Sequence, residues 1–302
     1  YKFNNIWLKT AFRYEEIKVK GKPSFYDTVA YTVFGPVMYD HHFGGKRTDN
    51  TGYYAVRWKS HDPSNELLFF NRLNRMKSYD DFREAVPQLQ TPGQNCAFAS
   101  SSGDIALFAQ GTFPAKWKGQ GDFVMPGTDT DYLWRGMIPR EETPFQHNPA
   151  RGFVSSANQL PADTSYPYYL GRNYPLARGF RVNKKLTDMK GITVGDMMAL
   201  QTDVYNVFAE WAMPLIRKYV NPARLQENEL KYYSKLDGWD YRYTPESEAA
   251  TVFETFWADL MDVVYDDEFE NAPDPVAKPN PITLLDALKK DSAYKFIDNK
   301  VT

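Results

Sequence analysis

Residues 147–158 of the 302-residue chain read HNPARGFVSSAN, the stretch that departs most from generic globular sequence. Asn148-Pro149 followed by Gly152 predicts a turn, because proline fixes φ and glycine tolerates backbone angles that other residues avoid. Phe153-Val154 then predicts the start of a short strand. The stretch therefore indicates a turn that leads into a strand.

A polar cluster ends this predicted strand and contains Ser155, Ser156 and Asn158. The loop LPADTSYPYYLG follows at residues 160–171, so an amide side chain is presented where a strand stops, a place where binding groups often lie. Taken alone, Asn158 is more typical of a turn residue that bonds its own backbone. A functional interpretation of Asn158 therefore depends on the surrounding sequence.

Three segments around this stretch carry a resemblance to a known family. They are NCAFASSSGDIALFAQGTFPAKWKG at residues 95–119, VMPGTDTDYLWRGMIPREETPFQHNPARGFVSSANQLPADTSYPYYLG at residues 124–171, and FRVNKKLTDMKGITVGDMMALQTDVYNVFAEWAMPLI at residues 180–216. In order and spacing they resemble the β subunit of the penicillin acylase family, whose members are N-terminal-nucleophile (Ntn) amidohydrolases. Shared landmarks include Gly-(Asn/Asp)-Ile, Trp-x-Gly-x-(Ile/Leu)-Pro, Asn-Pro-x-x-Gly, Ala-Asn, Tyr-Pro, Arg-(Ile/Val) and Gln-x-Asp. Two positions depart from the family pattern, with Phe34 where His is common and Ser100 where Asp is frequent.

The resemblance implies an α+β fold of the Ntn-hydrolase type, a four-layer αββα sandwich with antiparallel sheets between helices. Alternating strand patterns followed by late helical patterns agree with that class. We expect residues 1–225 to form part of the β-subunit core and residues 226–302 to be its mainly helical continuation. Both ends of the β subunit are expected to lie outside the chain, which opens on Tyr1 with no initiator Met.

The resemblance also implies two catalytic residues. Asn158 matches the oxyanion-hole asparagine of the Ala-Asn motif, and Arg181 in FRVNKKL, rather than Arg178, matches the arginine that supports it. The family's nucleophile is expected upstream of residue 1, because the phenol of Tyr1 lies too far from its own amine to serve. The chain alone is therefore expected to be inactive, and its substrate-binding residues are not identified by sequence.

The reaction implied by the family is hydrolysis of an acyl-amide bond, as in a β-lactam side-chain amide or an N-acyl-homoserine lactone. Expected partners are the acylated amine substrate and the remaining α- and β-subunit segments of the same precursor. The family also implies a periplasmic or secreted bacterial protein. The alternative is a non-catalytic binding or structural fragment that keeps the acylase fold. A glycosidase is disfavoured, because the sequence shows no convincing pair of carboxylates.

Charge and composition narrow the possible partners. The chain has 36 basic and 38 acidic residues, a net charge of −2, which indicates neither a nucleic-acid surface nor a polybasic membrane patch. No apolar run approaches the roughly 18 residues of a membrane span. The 20 Phe, 21 Tyr and 7 Trp suit a rigid core and an aromatic-lined pocket for an apolar acyl group.

No cofactor is expected from the candidate metal ligands. Cys96 is the only cysteine, which excludes a disulfide within the chain and predicts a buried, inert thiol. His41 and His42 are adjacent, and adjacent strand residues point to opposite faces, so they do not readily share an ion. Some family members bind calcium, but the Asp expected after the Tyr-Pro pair is replaced here by YYLG, although Asp163 lies nearby.

Hydrophobic periodicity and capping residues predict the remaining elements. The predicted strands are antiparallel strands over 1–37, a strand over 53–59, and a hairpin of 95–99 with 104–111, which a loop over 119–131 follows. Helices are predicted over 64–76, from Ser78 onward with Asp81 as its cap partner, over 247–265 and over 282–289. One long helix is predicted over 193–220, starting with a Thr193/Asp196 capping box and kinking at Pro214. This order, strands first and helices late, is typical of an α+β protein.

Overall fold

A computed structural model of the protein describes residues 1–40, 52–172, 174–270, 272, 276–290 and 294–297. Contacts divide the chain into two compact units, Tyr1–Gly179 and Phe180–Thr302. The division expected after residue 225 stays a prediction. His41 and His42, considered above as metal ligands, lie outside the described residues. None of the helices in the described ranges is both long and apolar enough to cross a bilayer.

Antiparallel strands form the sheets of the first unit. The strands are β1 Lys2–Phe3, β2 Ile6–Trp7, β3 Ala11–Ile17, β4 Phe25–Thr32, β5 Gly35–Tyr39, β6 Tyr54–Ala55, β7 Gln94–Ala99, β8 Ile105–Gln110 and β9 Phe145–His147. They pair in the orders β1-β2, β3-β4-β5-β6 and β7-β8-β9. The predicted strands before residue 37 and the predicted β7-β8 hairpin are confirmed, whereas the strand predicted over 53–59 is reduced to the two residues of β6.

Two helices, α1 Glu66–Leu73 and α2 Tyr79–Ala85, pack with the β7-β8 hairpin. Both were predicted, and α2 begins with the expected capping box, in which Ser78 and Asp81 satisfy each other's backbone N–H groups. The core between helices and hairpin contains Phe69, Phe82, Val86, Leu89, Phe98 and Ala106. This core holds the β7-β8 hairpin in place, and the first strand of the hairpin, β7, contains Asn95, which contacts the candidate site.

The second unit is helical. Its helices, with α3 beginning just before the division between the units, are α3 Ala177–Asp188, α4 Val194–Gln201, α5 Val207–Tyr219, α6 Glu227–Tyr233, α7 Glu248–Phe269 and α8 Pro281–Lys290. Helices α5, α7 and α8 enclose a core in which Met213, Phe253, Tyr265 and Leu284 are fully buried. The predicted helices near the carboxyl end are confirmed, and α7 extends four residues beyond its predicted end at Tyr265.

The single helix predicted over 193–220 is wrong. The Thr193/Asp196 capping box is present, but α4 ends at Gln201 and α5 starts afresh at Val207. The break has a physical cause, because the backbone between the helices pairs with another segment: Asn206 N donates to Tyr241 O at 2.8 Å. The Asn206 side chain then caps α5, and Pro214 lies inside that helix.

The strand predicted at Phe153-Val154 is also absent. Strand β9 ends at His147, and residues 153–154 have no strand assignment. Local bonds hold this segment instead, since Arg151 Nε donates to Phe153 O at 2.9 Å. The candidate asparagine therefore lies in a loop that follows β9, some ten residues later than a strand-end position requires.

Candidate active site

Asn158 lies in a loop with a defined conformation. Its φ is +63°, in the left-handed region that asparagine tolerates better than most residues. The following residue, Gln159, folds back on the loop: its Oε1 accepts from Ala157 N at 2.6 Å, and its Nε2 donates to Ser155 O at 3.1 Å. These bonds on both sides of Asn158 restrict the direction in which its amide can point.

Arg178 in the first turn of α3 orients that amide. Its Nη2 donates to Asn158 Oδ1 at 2.6 Å. A guanidinium has only donors, so it must face the amide oxygen, and the Nδ2 group is left as the free donor. Among the residues that the structure describes, no group accepts a hydrogen bond from Asn158 Nδ2. The pair therefore presents an N–H donor to any ligand at this loop.

A glycine allows α3 to approach the loop so closely. Gly179 is buried beside Gln159, and a Cβ added to Gly179 would lie 2.9 Å from Gln159 Cβ. That distance is shorter than a normal contact between carbon atoms. The lack of a side chain at Gly179 thus brings the neighbouring Arg178 within reach of Asn158.

A second bond ties the loop to the sheet. Asn95 in β7 donates through Nδ2 to Ser156 Oγ at 2.7 Å, and the two residues are 61 positions apart in the chain. Asn95 itself pairs with Ala109 of β8 in the antiparallel register. The loop is therefore anchored to the β7-β8 hairpin as well as to α3, although the predicted strand is missing.

A cavity of about 290 Å³ lies beside Asn158. Its lining residues are Gly93, Gln94, Asn95, Ala109, Phe113, Pro144, Asn158, Gln159, Pro161, Leu170, Tyr174 and Pro175. Most of this surface is apolar, and the amides of Asn95 and Asn158 provide polar groups. Small residues shape it, because a Cβ on Gly93 would lie 3.0 Å from Phe113 Cε1. The arrangement suits an apolar group with a polar end.

Arg181, the arginine that the sequence assigned to Asn158, has a different partner. Its Nε and Nη2 both lie 2.7 Å from Asp203 Oδ2, and its guanidinium stacks on the Tyr205 ring at 4.0 Å. Arg242 approaches the other carboxylate oxygen at 3.5 Å. The contact with Asn158 is made by Arg178, three residues earlier in α3, so the predicted contact of Arg181 is corrected. The catalytic roles of Asn158 and Arg181 stay predictions.

The carboxylate of Asp203 is buried, with 8% of its side chain exposed. Burial acts to raise the pKa of Asp203, but hydrogen bonds from Arg181 and from Tyr205 N, with the charge of Arg242, outweigh it and lower the pKa. Burial also raises the pKa of Tyr205, together with a hydrogen bond to Glu210, to about 12. This network holds α3 to the segment that precedes α5, so Asp203, the last residue of the Gln-x-Asp landmark, has a structural role.

The carboxylates near the site have hydrogen-bond and ion-pair partners within the protein. Asp163 Oδ1 accepts from the backbone N–H and the hydroxyl of Ser165, at 2.9 and 2.6 Å. Tyr169, which stands in the YYLG run, donates to Asp122 at 2.5 Å, and Arg172 neutralises the same carboxylate at 2.6 Å. Within the described ranges, no group of three or more His, Cys, Asp or Glu residues is arranged to hold a metal ion.

Mixed antiparallel sheets and helices are consistent with the Ntn-hydrolase class of folds. A solved structure supports that class: thermostable penicillin G acylase from Alcaligenes faecalis matches with a TM-score of 0.64 at 19% identity, over 87% of this chain and 48% of that chain. The predicted α+β, Ntn-hydrolase-like fold is thereby confirmed. The chain belongs to the penicillin amidase family, whose sequence model matches residues 1–302.

Curated relatives agree with this assignment. Acyl-homoserine lactone acylase QuiP from Pseudomonas fluorescens (strain Pf0-1) is 25% identical over 291 residues, which cover 90% of this chain and 35% of that protein. Penicillin acylase 2 proenzyme from Pseudomonas sp. (strain SE83) is 23% identical over 259 residues, which cover 84% of this chain and 32% of that protein. The chain thus spans about a third of the length of these relatives.

Proposed function

We propose that this chain forms the oxyanion-binding part of an enzyme that hydrolyses an acyl-amide bond. The observation that carries the proposal is the bond of 2.6 Å from Arg178 to Asn158, which commits the amide oxygen and leaves Nδ2 as a donor. Membership of the penicillin amidase family, and relatives named as acylases of penicillin and of acyl-homoserine lactones, support the same reaction.

The chemistry follows from that donor. A nucleophile attacks the substrate carbonyl, and the carbonyl oxygen becomes an oxyanion that Asn158 Nδ2 stabilises. One such donor contributes about 2.7–4 kcal/mol to the transition state. Arg178 adds to this effect, because a cation bonded to the amide oxygen strengthens donation by the amide nitrogen. The amine then leaves, and water releases the acyl group as a carboxylic acid.

The nucleophile belongs to a segment outside these 302 residues in this proposal. It is an N-terminal Ser, Thr or Cys, whose own α-amine accepts the proton because that amine titrates at about 7.7–8.0. The remaining α- and β-subunit segments of the precursor are the partners that complete the site. The protein is proposed to be periplasmic or secreted, and the chain by itself is proposed to be inactive.

The cavity beside Asn158 points to the part of the substrate that binds there. Its volume of about 290 Å³ is just below the roughly 300–1,000 Å³ of pockets that hold a whole drug-sized ligand. Its apolar lining, which includes Phe113 and Leu170, suits an apolar acyl group. Candidate substrates are therefore β-lactam side-chain amides and N-acyl-homoserine lactones with a compact acyl group.

The test is maturation and hydrolysis by the complete gene product. N-terminal sequencing and intact mass identify the mature subunits, and amide hydrolysis is measured on N-acylated amines for the complete protein and for the 302-residue chain alone. The proposal predicts a mature subunit that begins with Ser, Thr or Cys, activity in the complete protein and none in the chain alone. A complete protein that matures without such a residue and hydrolyses no acyl amide would instead be a binding protein with the acylase fold.

A further inference from the structure

Two neighbouring cavities in the second unit have contrasting linings. The first, of about 220 Å³, is surrounded by apolar side chains of α5 and α7, among them Ile216, Phe256 and Leu260. Trp257, which is 3% exposed, also lines it. An apolar surface of this kind attracts a hydrocarbon group, because filling it removes apolar area from water.

The second cavity, of about 360 Å³, carries positive charge. Lys218 from the last turn of α5 and Lys289 and Lys290 from the last turn of α8 line it. Within the part of the chain that the structure describes, none of these three lysines forms an ion pair with a carboxylate. Lysines at helix carboxyl ends offset the negative end of the helix dipole, which is equivalent to about half an elementary charge for each helix. The three lysine charges exceed the two half charges at the ends of α5 and α8. The cavity therefore has a surplus of positive charge.

The apolar and the cationic cavity adjoin each other. Leu215, Tyr219 and Leu288 line both of them, so one molecule can occupy the two together. Such a molecule needs an apolar chain for the first cavity and a negative group for the second. A carboxylate at the end of a hydrocarbon chain meets both conditions.

We propose that the second unit binds a medium-chain carboxylate, with the chain against Trp257 and Leu260 and the carboxylate among Lys218, Lys289 and Lys290. An apolar cavity of 150 Å³ admits benzene, so 220 Å³ admits roughly eight or nine carbons. Each methylene that enters raises affinity about fourfold until the cavity is full. This binding does not depend on the proposed hydrolysis, and all residues involved lie in the second unit.

Titration with octanoate, below its micelle concentration, tests the proposal by tryptophan fluorescence. The expected result is a saturable change for octanoate, weaker binding for hexanoate by roughly 16-fold from two fewer methylenes, and no change for acetate. Trp257→Phe should remove most of the signal. A lack of saturation with octanoate, or equal affinity for hexanoate and octanoate, would overturn the proposal.

Charge is tested with 1-octanol, which has the chain but no negative group. The triple variant K218Q/K289Q/K290Q should weaken octanoate binding roughly fivefold or more and leave octanol binding unchanged. These lysine head groups are exposed, so the variant should fold. Binding of octanoate with the same affinity by the triple variant and the original protein would show that the lysines are not its site.

Two control variants separate local from general effects. K20Q/K22Q/K190Q removes the same total charge from exposed lysines elsewhere and should leave octanoate affinity unchanged. Leu260→Phe fills part of the apolar cavity without adding a tryptophan and should weaken octanoate and octanol alike. An equal loss in both lysine variants would assign the effect to net charge and would contradict the proposed site.

Discussion

Arg178 Nη2 lies 2.6 Å from Asn158 Oδ1, across 20 residues of sequence. The bond joins the first turn of α3 to a loop whose central residue has a left-handed backbone. Arg181, one turn further along the same helix, bonds Asp203 instead. The two arginines of α3 therefore have separate duties, one at the candidate active site and one in the packing of the second unit.

Replacing Arg178 tests the first of these duties. In the complete, processed protein, Arg178→Gln should lower kcat/KM for an acyl amide by about 10- to 100-fold, less than the 10²–10³-fold loss expected when an oxyanion donor itself is removed. The reason is that Asn158 keeps its donor but loses the bond that orients it. Arg181→Gln is the matched control and should leave kcat/KM of the folded enzyme within about threefold. The opposite ranking of the two variants would restore Arg181 as the supporting residue.

Arg181 should instead determine stability. Arg181→Ala leaves the buried carboxylate of Asp203 with the hydrogen bond from Tyr205 N and the longer ion pair with Arg242, and we expect a loss of about 3 kcal/mol in the free energy of unfolding at pH 7. Urea denaturation measures it. Arg178→Ala, which removes an exposed side chain of the same type, should cost less than about 1 kcal/mol.

The ion pair between Arg181 and Asp203 predicts that stability depends on pH. The folded-state pKa of Asp203 is lowered, so its contribution to stability is complete above the unfolded value of about 3.9 and is lost as pH falls through the lower folded-state pKa. The difference in unfolding free energy between the original protein and Arg181→Ala should therefore shrink below about pH 4. A difference in unfolding free energy that stays constant from pH 7 to pH 3 would show that the charge of Asp203 is not its cause.

Gly179→Ala separates helix stability from site geometry. Alanine favours a helix over glycine by about 1 kcal/mol, but its Cβ would lie 2.9 Å from Gln159 Cβ. The loop must then move away from α3, which lengthens the hydrogen bond between Arg178 and Asn158. We expect kcat/KM to fall at least about fivefold. Gly195→Ala in α4, where the added Cβ would make only an ordinary contact of 3.7 Å with Thr193 Oγ1, serves as the helical control and should leave activity unchanged.

Cys96 should be an inert thiol. Cys96 is partly rather than fully buried, and this burial raises its pKa from 9.0 to about 11, so its thiolate fraction at pH 8 falls by roughly 90-fold. Alkylation by iodoacetamide at pH 8 should be roughly 90-fold slower in the folded protein than in urea. Equal rates in the two states would contradict the protection that partial burial gives the thiol.

Much of the fold follows from local sequence signals. The Ser78/Asp81 and Thr193/Asp196 capping boxes start α2 and α4 where predicted, because each box satisfies backbone donors within a single turn. The β7-β8 hairpin follows from two apolar runs around a short polar turn. These features depend only on residues that are close in sequence.

Errors arose where distant segments compete with local preference. The helical periodicity over 193–220 is continuous, yet an antiparallel β-bridge between Tyr205 and Arg242 interrupts the helix. Residues close in sequence do not predict this pairing. The choice between Arg178 and Arg181 failed for a related reason. The two arginines are separated by one helical turn, and Arg181, which matches the family motif, forms its ion pair with Asp203. The Ala-Asn motif that marks Asn158 is contiguous in sequence, and the catalytic role of Asn158 stays a prediction.

The kcat/KM of Asn158→Gly in the complete, processed protein shows directly whether the Asn158 amide acts in the reaction. Glycine accepts the φ of +63° without strain and removes only the amide, so folding should be retained. If Asn158 Nδ2 stabilises the oxyanion, kcat/KM for an acyl amide should fall by about 10²–10³-fold, through kcat, with KM little changed. A folded variant whose kcat/KM stays within about threefold of the original would contradict the claim that Asn158, held by Arg178, is the oxyanion donor.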